Sequence, residues 1–344
     1  MGKAFQIKQK RRDSDMTIVA KDGTGDFSTI QAAVDALPDD AGGETREIRI
    51  RAGEYRERVV VHKDRVRLTG EGAGKTVIAW NGCAKDPDEN GEEKGTFLSA
   101  TLYVTGKDVA AEDLTVKNDA GDGRVAGQAV AVYAAGDRGA WRRCSFLACQ
   151  DTLFCGPVRM PNTWAALGER TGCAEAYSRV EDGPVTRSRQ YFEDCLIRGD
   201  VDFIFGPYRA WFERCTLVMN ARGGYYTAAN TNAEQPWGFV FRRCVLDGEC
   251  APGAGFLGRP WRKGCATVFL ECEMRAAVAP EGFCDWDAER VVTGRCGEWR
   301  TGGARAAQET RHPSQKRLTD AEAAKITPEA VLGGDDGWRP DLAG

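Results

Sequence analysis

The chain has 344 residues, 42% of them hydrophobic, and a formal net charge of −4 at pH 7. This size supports a large core, in one long domain or two ordinary ones. The longest basic run, residues 8–12, is too short for the electrostatic footprint of a nucleic-acid binder, so nucleic acid is not an expected partner. No apolar run approaches the roughly 18 residues of a transmembrane helix, so we expect no membrane partner.

The N-terminal residues 1–16 are polar, and we expect them to be poorly ordered ahead of one domain spanning 17–344. They lack the apolar core of a secretory signal. Thirteen cysteines without a C-x-x-C pair suit a reducing compartment better than a disulfide scaffold. We therefore expect a cytoplasmic monomer, or a secreted protein if a leader has been removed.

Histidine is scarce, because His62 and His312 are the only two in the sequence. A Ser-His-Asp triad would have to use one of them, and a histidine-rich metal site would lack ligands. If the chain carries hydrolytic chemistry, carboxylates are expected to perform it. No metal and no cofactor are expected.

The predicted elements begin with a strand at 17–20 and a helix from the capping box of Ser28 and Gln31 to about Leu37. Short strands separated by turns follow, at 47–51, 58–62, 66–69, 76–80, 102–105, 114–117 and 129–134. Because helices do not alternate with these strands, a doubly wound fold is disfavoured. Near the C-terminus, Thr319 with Glu322 and Thr327 with Pro328 predict short helices within 319–333 that dock on the body of the protein.

A signature of an aromatic residue, two residues, Cys, one residue and an apolar residue occurs five times. Its cysteines are separated by 51, 20, 29 and 28 residues: Cys144, Cys195, Cys215, Cys244 and Cys272. Repeats of this length mark a solenoid, and short β-rich repeats favour a parallel β-helix with the cysteines stacked inside it. The interval of 51 residues allows either two coils or one coil with a large loop, and 155–188 reads as that loop.

An acidic residue interrupts an apolar run at 201–205, which reads as a strand between Gly199 and Gly206. Burying the charge of Asp202 there requires a cationic or hydrogen-bonding partner. Asp151 has a similar setting upstream, and Arg259 is a candidate cation downstream. We predict that these three residues meet. The alternative is that Asp202 is a turn residue with a structural salt bridge.

Five segments taken in order resemble the pectinesterase (pectin methylesterase) family of carbohydrate esterases. They are Gly23-Thr24-Gly25-Asp26-Phe27 with Thr29-Ile30-Gln31, Gly53-Glu54-Tyr55-Arg56-Glu57, Gln150-Asp151-Thr152-Leu153-Phe154, Gly199 to Gly206, and Gly258-Arg259-Pro260-Trp261. The resemblance spans about 17–335 and implies an all-β fold, a single-stranded right-handed parallel β-helix. It also implies hydrolysis of galacturonate methyl esters in pectin or methylated oligogalacturonides, with release of methanol.

The resemblance assigns a role to each matching residue. Asp202 matches the nucleophile, Asp151 the general acid/base, and Arg259 the arginine that holds the nucleophile. The remaining matches are the oxyanion-hole amides Gln128 and Gln150, the sugar-subsite aromatic Trp261, and the groove-lining residues Phe154, Val201 and Phe205.

These roles are chemically coherent. A carboxylate nucleophile must be ionised and aimed, and charge-assisted hydrogen bonds from Arg259 favour both. Asp151 must be protonated when methanol departs, and a nearby Asp202 charge with the aromatic Phe154 pushes it that way. Neutral glutamine amides suit an oxyanion without attracting the free carboxylates of the substrate.

Other interpretations remain open. Gln128 and Gln150 could satisfy backbone groups at strand edges, and Trp261 could belong to the core. The chain could be an acyl-CoA thioesterase or other esterase on this scaffold, a non-catalytic polysaccharide-binding β-helix or, more weakly, a lyase with an acidic calcium site.

Two features depart from the pattern of the family. Gly264 stands where a sugar-binding side chain is common, with Cys265 beside it, and the loop at 155–188 resembles the bacterial form. Since this loop follows the Gln150–Phe154 segment directly, we expect it to shorten the groove and favour short methylated fragments.

Overall fold

The computed structural model describes residues 16–39, 43–156, 188–306 and 309–340. Within these residues the chain winds into a coil, and a typical turn contributes one strand to each of three parallel sheets. The N-terminal segment before Met16 and the loop residues 157–187 of the predictions lie outside the described residues. Met16, placed in the poorly ordered segment by the sequence analysis, begins the first strand.

The three sheets are named A, B and C, and their strands are numbered in chain order. Over the described residues, sheet A contains β1 (Met16–Val19), β2 (Arg46–Ile50), β5 (Val66–Thr69), β8 (Ala110–Glu112), β11 (Gly139–Arg142), β14 (Arg189–Glu193), β17 (Arg209–Glu213), β21 (Phe239–Arg242), β24 (Thr267–Leu270), β26 (Cys296–Trp299) and β27 (Lys316–Arg317). Sheet B contains β3 (Gly53–Arg56), β6 (Thr76–Trp80), β9 (Thr115–Asn118), β12 (Ser145–Leu147), β15 (Leu196–Gly199), β18 (Thr216–Met219), β22 (Val245–Gly248) and β25 (Glu273–Met274). Sheet C contains β4 (Val59–Val61), β7 (Leu102–Val104), β10 (Val132–Ala134), β13 (Leu153–Cys155), β16 (Ile204–Gly206) and β20 (Thr227–Ala229), and a short pair joins β19 (Gly224–Tyr225) to β23 (Gly255–Phe256).

Equivalent strands of successive coils pair in parallel. In sheet C, Val132 lies opposite Leu153, Leu153 opposite Ile204, and Ile204 opposite Thr227. Side chains at one position of the coil therefore stack about 4.8 Å apart along the axis. The coil is right-handed, the hand that parallel crossover connections take almost without exception. The predicted right-handed parallel β-helix is confirmed.

The five repeated signatures form two ladders inside the coil. The aromatic rings stack with centroid separations of 5.9, 4.6, 4.3 and 4.8 Å in the order Trp141, Phe192, Phe212, Phe241 and Phe269. The five cysteines are buried free thiols, each donating to a carbonyl of the preceding coil, as Cys215 does to Phe192. Because β11 pairs directly with β14, the interval of 51 residues is one coil with a long insertion.

The corner between sheets A and B is a tight bend in which, over six successive coils, one residue takes a left-handed backbone conformation. These six residues have φ between 49° and 57° and all are charged: Asp113, Arg143, Asp194, Arg214, Arg243 and Glu271. Left-handed φ is uncommon outside glycine. Neighbours along the corner form ion pairs, with nitrogen–oxygen distances of 2.8 Å for Arg143–Asp113 and 2.9 Å for Arg214–Asp194. The bend therefore recurs from coil to coil with its charges paired.

A short helix, α1 (Ile30–Asp35), closes the N-terminal end of the core. Its cap is Thr29, whose side chain accepts from the Ala32 N–H, so the predicted start at Ser28 is one residue early and the predicted end two residues late. The Glu57 carboxylate also accepts from the N–H groups of Ile30 and Gln31, at 2.8 and 3.0 Å. Glu57 in the Gly53–Glu57 segment thus serves as an anionic cap for this helix.

Two helices follow the last strand, α3 (Asp320–Ala323) and α4 (Pro328–Leu332), whereas α2 (Gly123–Ala126) and a 3-10 turn at Thr96–Leu98 lie in loops. The capping box of Thr319 and Glu322 is present. Val331 and Leu332 of α4 pack on the outer face of sheet A against Tyr191 and Trp211, as the predicted docking requires. None of the helices in the described residues is long and apolar enough to cross a membrane.

Replacing Phe212 tests the aromatic ladder, since this fully buried ring stacks on a neighbour at each side. Phe212→Ala should lower the free energy of unfolding by about 3–5 kcal/mol through lost burial and a residual cavity. Phe212→Leu, which keeps most of the apolar volume, should cost clearly less. Urea denaturation followed by circular dichroism measures both, and Val125→Ala at an exposed position is the control. An unaltered Phe212→Ala protein would contradict a continuous core.

Candidate active site

The two aspartates occupy the same corner of successive coils, just before sheet C. Asp151 has φ 65° and lies two residues before Leu153, and Asp202 has φ 53° and lies two residues before Ile204. The Asp151 N–H donates to the Val201 carbonyl at 3.0 Å, which links the two corners directly. The predicted strand at 201–205 is therefore wrong at its start, because Asp202 makes the bend and the strand begins only at Ile204.

Arg259 holds Asp202 from two coils further along the chain, because Ile204 lies opposite Thr227 and the Arg259 N–H donates to the Thr227 carbonyl. Its Nε and one terminal nitrogen donate to the two carboxylate oxygens of Asp202 at 2.8 and 2.7 Å, and Asp202 is 7% exposed. This bidentate hydrogen bonding orients both carboxylate oxygens. The structure thus brings Asp202 and Arg259 into contact, as the sequence predicted, with Asp151 beside them.

The two carboxyl groups differ in the surroundings that set their pKa. Burial raises the pKa of Asp151 well above its ordinary value, and the nearby charge of Asp202 adds to this rise. Burial also raises the pKa of Asp202, but the hydrogen bonds and charge of Arg259 oppose that rise. Asp151 is thus the carboxyl whose pKa burial raises well above its ordinary value, while Asp202 is the one held by a cation. The roles predicted for them, acid and nucleophile, need such a difference in environment and stay predictions.

The two candidate oxyanion donors lie on neighbouring coils. The Ala129 N–H donates to the Gln150 carbonyl at 3.1 Å, so Gln128 and Gln150 are one coil apart, and both are half-buried. The α2 segment lies against Gln150, where a Cβ on Gly123 would stand 2.9 Å from the Cβ of Gln150. Glycine is thus the residue that allows this close approach.

Aromatic side chains stack outside sheet C beside the aspartates. Phe154 and Phe205 have ring centroids 4.7 Å apart, and Phe205 is 5.8 Å from Trp261. Phe154 is fully buried beneath Phe97 and Phe205 is nearly so, whereas Trp261 is partly exposed. The two phenylalanines form the floor of the site and Trp261 its rim. Their roles as substrate contacts, and that of the partly exposed Val201, stay predictions.

Two aromatic residues at the site were missed by the sequence analysis. The Arg259 guanidinium carbon lies 4.0 Å from the ring centre of Tyr225 and 3.7 Å from that of Trp286. Tyr225 could have been found, since it occupies the register position of Asp202 one coil later. Trp286 has no comparable signal, because the loop that carries it is outside the repeat.

No cluster of three or more His, Cys, Asp or Glu side chains in the described part of the chain is arranged to hold a metal ion. The site brings together a carboxylate paired with arginine, a buried carboxyl with a raised pKa and two neutral amides. The fold and these groups fit a β-helical hydrolase whose candidate catalytic groups are carboxylates.

Comparison with known proteins gives the family. A family model described as Pectinesterase matches residues 16–160 and 184–335. Pectinesterase 31 of Arabidopsis thaliana is 31% identical over 316 residues, covering 90% of this chain and 89% of that protein. Probable pectinesterase 8 of the same plant is 31% identical over 342 residues, covering 94% and 77%. The chain belongs to the pectinesterase family, a family of carboxylic ester hydrolases.

Solved structures agree with this assignment. A pectin methylesterase from carrot superposes with a TM-score of 0.76 at 29% identity, covering 93% of each chain. The pectin methylesterase PemA from Erwinia chrysanthemi gives a TM-score of 0.73 at 29% identity, covering 95% of this chain and 98% of that one. A pectin methylesterase in complex with a hexasaccharide gives 0.74 at 29% identity, with coverage of 95% and 98%.

The protonation of Asp151 has a consequence for stability. Because its pKa is raised in the folded protein, the native state keeps a proton that the unfolded chain, with a carboxyl pKa of about 3.9, has already lost. Stability therefore falls as pH rises above that value. Asp151→Asn removes the titrating group, so its thermal midpoint should exceed that of the wild type by a margin that grows from pH 5 to pH 8.

Asp122 supplies the opposite control, because hydrogen bonds from Arg124 lower its pKa to about 2. Asp122→Asn should gain no stability over the same pH range. Thermal denaturation of the three proteins in one buffer series measures the effect. An Asp151→Asn margin that is constant or shrinks with rising pH would show that Asp151 is not held protonated.

Proposed function

We infer that this chain hydrolyses galacturonate methyl esters in pectin or methylated oligogalacturonides and releases methanol. The observation that carries this function is the pair of buried aspartates on one outer face, one held by Arg259 at 2.7–2.8 Å and the other with a raised pKa. Membership of the pectinesterase family supports it. A related pectin methylesterase structure contains a bound hexasaccharide.

The first half of the reaction forms a covalent intermediate. A carboxylate oxygen of Asp202 attacks the ester carbonyl carbon, and the carbonyl oxygen gains the negative charge. The Gln128 and Gln150 side-chain amides stabilise this oxyanion by hydrogen bonds. The C–O bond to the methoxy group then breaks while the Asp151 carboxyl donates its proton, so that methanol leaves and an acyl–Asp202 anhydride remains.

The second half regenerates the enzyme. Asp151, now a carboxylate, takes a proton from water while the water oxygen attacks the acyl carbon of the intermediate. The bond to Asp202 breaks, which releases a galacturonate carboxyl group and restores the Asp202 carboxylate. One ester and one water are consumed, and one acid and one methanol are formed. Arg259 remains bound to Asp202 as its charge returns.

The alternatives have less support. A thioesterase for acyl-CoA would want an apolar groove without a sugar-stacking ring, whereas Trp261 stands partly exposed beside Phe205. A non-catalytic binding protein would not need a carboxyl with a strongly raised pKa next to an arginine-held carboxylate.

Two finer proposals concern the biology of the protein. We propose a monomer, supported by the few large apolar side chains that are exposed among the described residues, Val125 and Val291. We propose a reducing, cytoplasmic setting, supported by the described cysteines being free and mostly buried thiols. A bacterial-type assignment gains no support, because the curated relatives compared are plant proteins and the carrot and Erwinia structures are equally identical.

Substitutions at the site test the mechanism through methanol release from methylated oligogalacturonides. Asp202→Asn should abolish nearly all turnover, because an amide cannot form the anhydride. Asp151→Asn should lower kcat about 10²–10⁴-fold through lost proton transfer, and Gln150→Ala about 10²–10³-fold through a lost oxyanion donor. EDTA should have no effect.

Asp113→Asn is the matched control, since Asp113 has the same left-handed conformation at the other corner of the coil and pairs with Arg143. It should retain turnover. Turnover of the Asp202→Asn enzyme near that of Asp113→Asn would exclude Asp202 as the nucleophile.

Short fragments should be the better substrates of a cytoplasmic enzyme, because intact pectin does not enter a cell. The net charge of −4 also offers little attraction to a long polyanion. We expect kcat/KM on methylated tri- to hexagalacturonides to exceed that on high-methoxyl polymer by about tenfold. A preference for polymer would overturn this proposal and leave the esterase function intact.

A further inference from the structure

The arginine that holds Asp202 lies close to two aromatic rings. Its carbon lies 3.7 Å from the ring centre of Trp286 and 4.0 Å from that of Tyr225. Such distances are well inside the roughly 6 Å at which a cation and an aromatic face attract each other. The edge of the same plane makes both hydrogen bonds to Asp202. The ring contacts and the hydrogen bonds therefore restrain the guanidinium group of Arg259 in different directions.

Both rings are fixed by the backbone of the β-helix. Tyr225 lies in β19, its N–H donating to the Asp200 carbonyl at 3.0 Å, and its ring stacks on Phe256 with centroids 5.7 Å apart. The loop that carries Trp286 is joined to the arginine segment, because the Cys284 N–H donates to the Gly258 carbonyl at 3.1 Å. The aromatic groups are thus anchored independently of Arg259.

Trp286 is poorly available as a sugar platform. A second guanidinium, that of Arg290, lies over the same ring at 4.6 Å and is paired with Asp287. Trp261 meets Phe205 edge-on at the rim of the site. Within the described part of the chain, its ring has one guanidinium over it, that of Arg262 at 5.1 Å, whereas the ring of Trp286 has two. In the described residues, two arginines lie over the ring of Trp286, which favours a role in holding arginine over a role in binding substrate.

We propose that Tyr225 and Trp286 are positioning residues that hold the Arg259 guanidinium in the plane of the Asp202 carboxylate, and so keep the nucleophile ionised and aimed. This inference rests on the proposed ester hydrolysis and adds two residues that act through Arg259. Side-chain freedom of a long arginine opposes any fixed geometry. Contacts with two aromatic rings reduce that freedom, so the planar guanidinium is held ready to form both hydrogen bonds.

The pH dependence of catalysis distinguishes this role from a structural one. Arg259 opposes the effect of burial on the pKa of Asp202, so a loosened guanidinium lets that pKa rise. The other titratable groups that face the pair are Asp151 from the preceding coil, Tyr225 from the following coil and Cys284 from the loop of Trp286. The acid limb of kcat/KM against pH reports the ionisation of Asp202 in the free enzyme.

The experiment compares Trp286→Leu and Tyr225→Leu with the wild type on a methylated hexagalacturonide from pH 4 to pH 9. Each variant should move the acid limb upward by about one pH unit, and kcat at the plateau should fall about tenfold. Trp286→Phe and Tyr225→Phe keep a ring and should return the limb most of the way to its wild-type position. Circular dichroism and thermal unfolding determine whether each variant is folded. If one leucine variant does not fold, the variant at the other position still provides an independent test.

Trp299→Leu is the matched control, because Trp299 carries the same kind of contact with Arg300 at 4.5 Å but belongs to sheet A. The acid limb of kcat/KM against pH should be the same for Trp299→Leu as for the wild type. A folded Trp286→Leu or Tyr225→Leu enzyme with a raised KM and an unshifted limb would overturn the positioning role while leaving the esterase function standing. A wild-type protein that releases no methanol at any pH would overturn both.

Discussion

The parallel register between successive coils is the constraint on which the rest of the structure depends. Leu153 opposite Ile204 and Ile204 opposite Thr227 bring residues far apart in sequence to one place on the surface. Asp151, Asp202 and Tyr225 follow from that register, because each lies two residues before one of these positions. The active site is therefore a set of equivalent corner positions in consecutive coils, completed by Arg259 from the next coil. A change of register by one residue would turn these side chains away from one another.

Buried charge is the second constraint. A carboxylate on a side chain that is only 10% exposed is costly in an apolar setting, and Arg259 offsets that cost with two short hydrogen bonds. Arg259 is in turn partly desolvated by Tyr225 and Trp286, whose ring faces are a better substitute for water than aliphatic groups. In the described part of the chain no such cation is hydrogen-bonded to Asp151, and burial raises its pKa well above the ordinary value. The different roles predicted for the two aspartates thus depend on which of them the arginine reaches.

Much of this could be predicted from the sequence, and the exceptions have physical reasons. The strands Val66–Thr69 and Thr76–Trp80 were predicted with their observed bounds, and the spacing of the cysteines gave the β-helix. The predicted strand at 201–205 began too early, because an apolar run does not reveal that Asp202 takes a left-handed conformation and bends the chain. Trp286 was missed because its approach to Arg259 is made by a loop outside the repeat. Motifs and periodicity identify residues that share a coil position, whereas contacts across irregular loops require coordinates.

A left-handed bend at an aspartate occurs in two different settings in this protein. At the corner between sheets A and B, Asp113 and Asp194 have left-handed φ and side chains that are 33% and 45% exposed, each paired with an arginine at the surface. At the corner before sheet C, Asp202 has the same kind of bend and an arginine partner, but its side chain is only 10% exposed. Water screens the first pairs, which are therefore structural. The cover supplied by Tyr225, Trp286 and the aromatic floor removes that screening, so the same residue type in the same conformation becomes a candidate nucleophile.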